Sequence, residues 1–225
     1  MRSPLRATAT FALAAVAAFA TGCSSSDTWS QPHPAPSPVG ALGDGFTDPS
    51  APPTPEATIT PRPGSWDGVH PPKDYRVVLL SSGDDRPTRT LVTAVEDWAR
   101  TEHVSLRTVT PDTPSDPIPA IVRALDMHPD LIISAGDGLI DSLATVSASH
   151  LSQQFLVLGA ELAEPTHNVT AANWPGATFR GEDLVTSTAY DARSFTPRRC
   201  AEAVRAGTAA VLNHLTGIVV QLDAP

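Results

Sequence analysis

From Tyr75 onward, short aliphatic runs alternate with segments whose apolar residues recur at helical spacing. A run of consecutive aliphatic residues bounded by turn residues predicts a buried strand, whereas a stripe at i, i+4 and i+7 predicts an amphipathic helix. The first predicted helix carries this stripe at Leu91, Val95 and Trp98. The predicted strands lie within DYRVVLLSSG, VSLRTVTP, PDLIISAG, QFLVLGA, NVTAANW and GIVVQLD, in chain order.

The predicted helices fill most of the intervals between these strands. They lie in PTRTLVTAVEDWAR, SDPIPAIVRAL, LIDSLATVSASHLSQ and, at the end of the chain, residues 198–215. Asp116 is predicted to cap the second helix, with Pro117 at the favoured first position, and Thr196-Pro197 opens the last helix. The stretch 175–195 has weak periodicity and predicts no regular element.

The order of these elements predicts the fold class. Aliphatic strands that alternate with helices indicate a mostly parallel sheet covered by helices on both faces, because both faces of each strand must be buried. We expect a three-layer αβα sandwich of flavodoxin or Rossmann type, with strand order 2-1-3-4-5. The predicted domain is a single lobe that spans residues 75–225.

The N-terminus has the pattern of an export signal. Arg2 and Arg6 precede the apolar segment 7–20, which is shorter than the roughly 20 residues needed to span a bilayer. The residues that follow, ATGC at 20–23, resemble the lipobox of bacterial lipoproteins. The resemblance implies removal of residues 1–22 and lipidation of Cys23, which would anchor the protein on the extracytoplasmic face of the cell membrane.

Residues 23–74 are predicted to form the lipid anchor and a proline-rich, disordered tether. Residues 24–74 contain twelve prolines, many Ser and Thr residues and few large aliphatic residues. Such a composition buries too little apolar surface to offset the entropy of ordering the chain. Trp66 and His70, near the end of this segment, are candidates to pack against the lobe.

The formal net charge of -9 makes nucleic acid and anionic lipid headgroups unfavourable partners for the chain as a whole. The chain contains two cysteines, so it can form at most one intrachain disulfide, and none if Cys23 carries lipid. Cys200 is then expected to be a small buried residue of the last helix.

Two strand ends carry the candidate binding residues. In open α/β sheets, ligands bind outside the carboxyl ends of the strands, and a 2-1-3 order makes the loops after strands one and three neighbours. These loops place Ser82, Asp84, Asp85 and Asp137 around one crevice. Ligand contact and acid–base catalysis are both open, but the same aspartates also suit turns and helix N-caps.

No further motif indicates an enzyme or a cofactor. The chain lacks the glycine-rich phosphate loops and the G-x-S-x-G motif, and no two of its seven histidines lie four residues apart. We therefore expect no catalytic residues, no metal and no cofactor. A hydrolase-type or flavodoxin-like enzyme is the least favoured interpretation.

The segment HPDLIISAGDGLIDSLATVSASHLSQQFLVLGA, followed by HNVTAANW, resembles the first lobe of the basic membrane protein (BMP, PnrA-like) lipoproteins. These are substrate-binding components of ABC importers, and several bind nucleosides. The resemblance spans about residues 75–181 and implies a nucleoside-like solute and an ABC permease as partners.

Two features depart from that family. The loop after strand one reads SSGDDRP and lacks the family's Phe-Asn pair, so only the acidic character of Asp84 and Asp85 carries over. The chain also has no room for a second lobe. The expected function is a non-catalytic solute-binding lipoprotein, and the alternative is an anchored interaction module without a small ligand.

Overall fold

The computed structural model describes residues 29, 33–179 and 190–223. Its strands are β1 (Val39–Gly40), β2 (Thr58–Ile59), β3 (Val69–His70), β4 (Arg76–Ser81), β5 (Ser105–Val109), β6 (Leu131–Ala135), β7 (Phe155–Leu158), β8 (Ala160–Glu161), β9 (Val169–Asn173), β10 (Thr178–Phe179) and β11 (Val219–Gln221). Its α-helices are α1 (Arg86–Thr101), α2 (Ile118–Asp126), α3 (Ile140–Ser147) and α4 (Pro197–Leu212).

The main sheet has seven strands in the order β2-β11-β9-β7-β6-β4-β5. All its neighbouring strands pair in parallel. Numbered from β4, the predicted order 2-1-3-4-5 is confirmed, and β11 and β2 extend the sheet at one side. The pairs β1–β3 and β8–β10 form two small additional sheets. The α/β class predicted from the alternation of elements is therefore confirmed.

The sheet separates two apolar layers. Val77 and Leu79 of β4 face a cluster that includes residues of α1 and α4, whereas Val78 and Leu80 face a cluster that includes residues of α2 and α3. Every residue of β4, β6, β7 and β9 is buried. Because both faces of these strands are apolar, both faces of the sheet need a helical cover.

Helix starts agree with the sequence at two positions and differ at a third. Thr196 caps α4, since its hydroxyl accepts a hydrogen bond from the Arg199 amide at 3.2 Å. Asp85 caps α1 in the same way. The prediction for α2 was wrong: the cap position is Pro117, which has no side-chain acceptor, and Asp116 precedes it. Proline is tolerated there because an amide hydrogen at the start of a helix has no intrahelical acceptor, so the missing N–H of proline costs no hydrogen bond.

The prediction of an extended tether up to residue 74 was wrong for residues 39–74, which pack on the folded lobe. Strand β2 pairs with β11 at the edge of the main sheet, and the Gly43 amide donates to the Ser65 carbonyl at 2.7 Å. Phe46 and Trp66 are only 2% and 3% exposed and join the cluster of α1 and α4. Large aromatic side chains offset the low aliphatic content, and the expected packing of Trp66 is confirmed.

Cys200 lies in α4 and is fully buried. Burial raises the pKa of its thiol to about 12, which opposes formation of the reactive thiolate. The expected role of Cys200 as a small core residue is confirmed.

The predicted signal segment 1–22 and Cys23 lie outside the described residues. Within residues 29, 33–179 and 190–223, no helix is both long enough and apolar enough to cross a membrane.

The packing of Trp66 makes a prediction about stability. Trp66→Ala should lower the free energy of unfolding by about 3–5 kcal/mol, because it removes a buried aromatic side chain and leaves a cavity. Val39→Ala is the control, since Val39 is 55% exposed and its truncation should cost less than about 0.5 kcal/mol. The free energies of unfolding of both variants are to be measured by urea denaturation. Equal stability of the two variants would mean that residues 39–74 do not contribute to the core.

Candidate binding edge

The loops that follow β4 and β6 meet at the carboxyl edge of the sheet. Ser81 and Ala135 are paired residues at the ends of these strands. A Cβ atom built on Gly138 would lie 3.1 Å from the Ser82 carbonyl oxygen, so the two loops are in contact. The structure thus brings the two predicted loops together, as the strand order requires.

Asp85 lies in this edge as the N-cap of α1. One carboxylate oxygen accepts from the Thr88 amide at 3.0 Å and the other from the Thr88 hydroxyl at 2.7 Å. Partial burial acts to raise the pKa of Asp85, but the hydrogen bonds from Thr88 and the nearby Arg89 outweigh it and lower the pKa. The capping role that the sequence left open therefore applies to Asp85, and its carboxylate is held in one orientation.

The remaining predicted residues lie on the open side of the same edge. Ser82 is half-buried, whereas Asp84 and Asp137 are exposed. Asp137 also lines a polar groove of about 500 Å³, together with Ser115 and the start of α3. The carboxylates are therefore accessible to a solute that approaches from this side.

A third chain segment reaches the edge at Tyr190, which is 55% exposed. Partial burial raises the pKa of the Tyr190 phenol, and the negative charges of Asp85, Asp137 and Asp191 raise it further. The side chains of three separate loops thus share one electrostatic environment. Asp191 itself has a lowered pKa, because it accepts hydrogen bonds from the side chain and the amide of Arg193.

An aromatic cluster supports the loop that carries Tyr190. The rings of Trp174 and Phe195 meet edge to face with centroids 4.9 Å apart, and the centroids of Tyr190 and Phe195 are 6.0 Å apart. The Trp174 indole donates to the Ser194 hydroxyl at 3.0 Å. A Cβ atom at Gly159 would lie 2.7 Å from the Phe195 ring, so only glycine allows this close approach.

A half-buried acid, Glu161, lies further along the same edge. The Asn173 side-chain amide donates to the Glu161 carboxylate, and the Asn173 oxygen accepts from the Trp174 amide at 2.9 Å. Burial raises the pKa of Glu161, and the hydrogen bond from Asn173 only partly opposes that effect. Glu161 thus adds an acceptor next to the aromatic cluster.

The edge has the chemistry of a hydrogen-bond acceptor surface. Ionised carboxylates accept hydrogen bonds only, so they bind hydroxyl, amine or amide groups and repel phosphate. Within residues 29, 33–179 and 190–223, no three or more His, Cys, Asp or Glu side chains are arranged to hold a metal ion.

The sequence analysis missed Tyr190, Glu161 and Asn173. Tyr190 lies in the weakly periodic stretch that received no assignment, and only the aromatic residues Trp174 and Phe195 hinted that the stretch is packed. Glu161 and Asn173 follow β7 and end β9 respectively, so the rule that ligands bind at strand carboxyl ends could have included them.

No protein-family model matches the chain, and no curated protein sequence matches it at a significant level. Two similar solved structures are ABC transporter system solute-binding proteins. The one from Aeropyrum pernix K1 has 18% identity and a TM-score of 0.40, covering 47% of this chain and 29% of that chain. The one from Conexibacter woesei DSM 14684 has 14% identity and a TM-score of 0.39, covering 45% and 35%.

A third similar structure is a "putative lipoprotein" fragment from Peptoclostridium difficile 630, with 15% identity and a TM-score of 0.45. The match covers 64% of this chain and 100% of the fragment. This chain spans only about a third of the two ABC transporter proteins. At these identities the likeness concerns the α/β fold alone.

The Asp85 cap makes a prediction about pH. Asp85→Ala should cost about 1 kcal/mol of unfolding free energy at pH 7, because it removes the acceptor for Thr88. The lowered pKa means that this stabilisation is complete above the unfolded value near 3.9 and is lost as pH falls through the lower folded value.

Chemical unfolding at several pH values between 2 and 7 measures this effect. Asp85→Asn is the matched control, because asparagine also caps helices but does not titrate. It should retain most of the stability and show no pH dependence of the cap. A constant difference between wild type and Asp85→Ala down to pH 2 would contradict the assignment.

Proposed function

We propose that this chain is a non-catalytic lipoprotein of the BMP type, located on the extracytoplasmic face of the cell membrane. Residues 1–22 are removed, and Cys23 carries the lipid. The folded lobe binds a small polar solute at its carboxyl edge and passes it to an ABC permease. The lipobox-like residues at 20–23 support the anchor, and the geometry of the carboxyl edge supports the solute site.

The convergence of three loops at one edge carries the proposal for the solute site. Asp85, Asp137 and Tyr190 come from three different connections of the sheet, and the negative charges of the two aspartates raise the pKa of the Tyr190 phenol. Asp84 and Ser82 lie in the first of these loops, and the groove beside Asp137 gives space for a solute. A purely structural turn would not require acceptors from three loops and an exposed phenol.

The chemistry of these groups favours a neutral or cationic solute that carries several hydroxyl or amino groups. A nucleoside fits this description, since its sugar hydroxyls donate to carboxylates and its base can stack on an aromatic ring such as Tyr190. A nucleotide fits poorly, because its phosphate would face Asp84, Asp85 and Asp137.

A second candidate function is an anchored interaction module without a small ligand. The openness of the edge favours it, because Asp84, Asp137 and Tyr190 are exposed and the chain supplies one lobe. Small-molecule sites usually bury most of the ligand, and a single lobe leaves one side of a bound solute in water. A protein that covers this edge would supply the missing wall.

Solute binding is tested with the full chain by thermal-shift measurements against nucleosides, amines and sugars. A bound solute should raise the melting temperature, because it stabilises only the folded state. Asp137→Asn and Tyr190→Phe should each weaken binding at least several-fold, whereas Asp97→Asn, in a surface ion pair with Arg100, should leave it unchanged. No shift across the panel favours the interaction module.

The anchor is tested separately by expressing the full chain in a bacterial host. The wild-type protein should appear in the membrane fraction with the mass of a chain that begins at a lipid-modified Cys23. Cys23→Ser should lose the lipid mass, whereas Cys200→Ala should keep it, because Cys200 is buried in α4. An unmodified Cys23 in wild type would refute the anchor and leave the solute test unaffected.

A further inference from the structure

All seven histidines of the chain lie at the edge of the sheet opposite the candidate site, the amino edge, where the strands begin. His103, His128 and His214 follow the ends of α1, α2 and α4, and His150 follows the end of α3. His167 precedes β9. His33 contacts Asp130, just before β6, at 2.9 Å, and His70 contacts Glu102, just after α1, at 2.9 Å.

This face is open to solvent. Six of the seven histidines are exposed, and His33 is half-buried. His103, His128 and His214 have positive φ angles, as residues that end helices often do. Helix termination accounts for His103, His128 and His214, and the His128 and His150 rings also contact carbonyl oxygens at the ends of α2 and α3 at 2.9 Å. It does not account for His33, His70 or His167. The described residues also contain no group suited to a metal ion, so the histidines do not form one metal site.

The chain next to the proposed anchor docks on this same edge. The Trp29 indole donates to the Ser105 hydroxyl at 2.7 Å, and the Arg107 guanidinium lies 4.3 Å from the centre of the Trp29 ring. Arg76 donates to the Trp29 carbonyl at 3.4 Å. Trp29 lies six residues after Cys23, and six residues reach at most about 20 Å. A lipid on Cys23 therefore holds the amino edge within about 20 Å of the bilayer.

The fixed charges of the described residues at the amino edge sum to a small negative value, so protonated histidines can reverse its sign. Its carboxylates slightly outnumber its permanent cations. The carboxylates are Glu56, Asp74, Asp97, Glu102, Asp126 and Asp130, and the cations are Lys73, Arg76, Arg100 and Arg107. Histidine is the side chain that gains a charge between pH 5 and 8. Each protonated histidine adds one positive charge to this face, so protonation of three or more of the seven outweighs its excess of carboxylates.

We propose that the amino edge faces the membrane and binds anionic lipid headgroups in a pH-dependent manner through its histidines. The inference rests on the proposed lipidation of Cys23, which brings this edge to the bilayer. Anionic headgroups attract cationic side chains within about a Debye length, near 10 Å at ordinary ionic strength. At mildly acidic pH the lobe binds the bilayer surface. At neutral pH it dissociates as far as the six-residue connection from Cys23 to Trp29 allows.

The opposite edge carries no histidine, so acidification adds no imidazolium charge there. Beside Arg86, Arg89 and Arg193 it carries the carboxylates of Asp84, Asp85, Asp137 and Asp191. Anionic headgroups repel these carboxylates. The orientation therefore directs the candidate solute site away from the lipid surface, towards the medium.

The test uses the full chain reconstituted into vesicles with two matched labels. Ser149→Cys places a fluorophore on the amino edge, and Ser115→Cys places the same fluorophore on the carboxyl edge, since both serines are exposed. Nitroxide-labelled headgroups quench a fluorophore only at close range. Quenching is measured at pH 5.5 and 7.5, in vesicles with and without phosphatidylglycerol, and at low and high salt.

We expect the label at position 149 to be quenched at least twofold more at pH 5.5 than at pH 7.5 in anionic vesicles. High salt or zwitterionic vesicles should abolish this gain, and the label at position 115 should show little quenching at either pH. The combined variant His103→Asn, His128→Asn and His214→Asn should lose half of the gain or more, because asparagine accepts the positive φ angles but carries no charge. His150→Arg should raise the quenching at pH 7.5.

Equal quenching of the two labels, a gain that is independent of pH, or a full gain in the asparagine variant would each overturn the proposal. Failure of the proposed lipid anchor is distinguishable from failure of the headgroup contact, because the measured mass of the chain shows directly whether Cys23 carries lipid. An unlipidated chain is then tested by flotation with anionic vesicles. The signal segment contains no histidine, so it adds no histidine charge to vesicle binding in this test. Flotation that is equal at the two pH values would overturn the histidine contact in that case too.

Discussion

The burial of strand β4 on both of its faces determines how the rest of the chain is arranged. Val77 and Leu79 face one apolar layer and Val78 and Leu80 the other, so helices must cover both sides of the sheet. The helices that cover the two sides also connect successive strands, and such crossovers make the connected strands run parallel. In a parallel sheet, all loops that precede a strand lie at one edge, and all loops that follow a strand lie at the other edge. The two edges of this molecule differ in chemistry for that reason.

The edge of such a sheet needs protection, and the proline-rich segment provides it. A free edge strand exposes unpaired amide and carbonyl groups that promote association. Strand β2 pairs with β11 and covers that edge, while Phe46 and Trp66 close the apolar layer beneath it. The segment before β4 is therefore part of the folded lobe. Its short strands and frequent prolines suit an edge, where few hydrogen bonds are required.

The two edges complement each other in the proposed function. The carboxyl edge presents carboxylates and Tyr190 to a solute, and the amino edge presents histidines beside the docked Trp29. A long tether would leave the orientation of the lobe undefined. A lipid on Cys23, six residues before Trp29, would restrict it, with the proposed solute site and the proposed lipid surface at opposite edges of the sheet.

Local patterns in the sequence were sufficient for the strand order, the starts of α1 and α4, the burial of Cys200 and the meeting of the two predicted loops. Each depends on residues close together in the chain, or on the regular geometry of parallel strands. Tyr190 beside Asp85 and Asp137, the packing of Phe46, and the gathering of seven histidines at one edge depended on the tertiary structure. These contacts join distant segments that have no periodic pattern, and only the closed sheet brings such segments together.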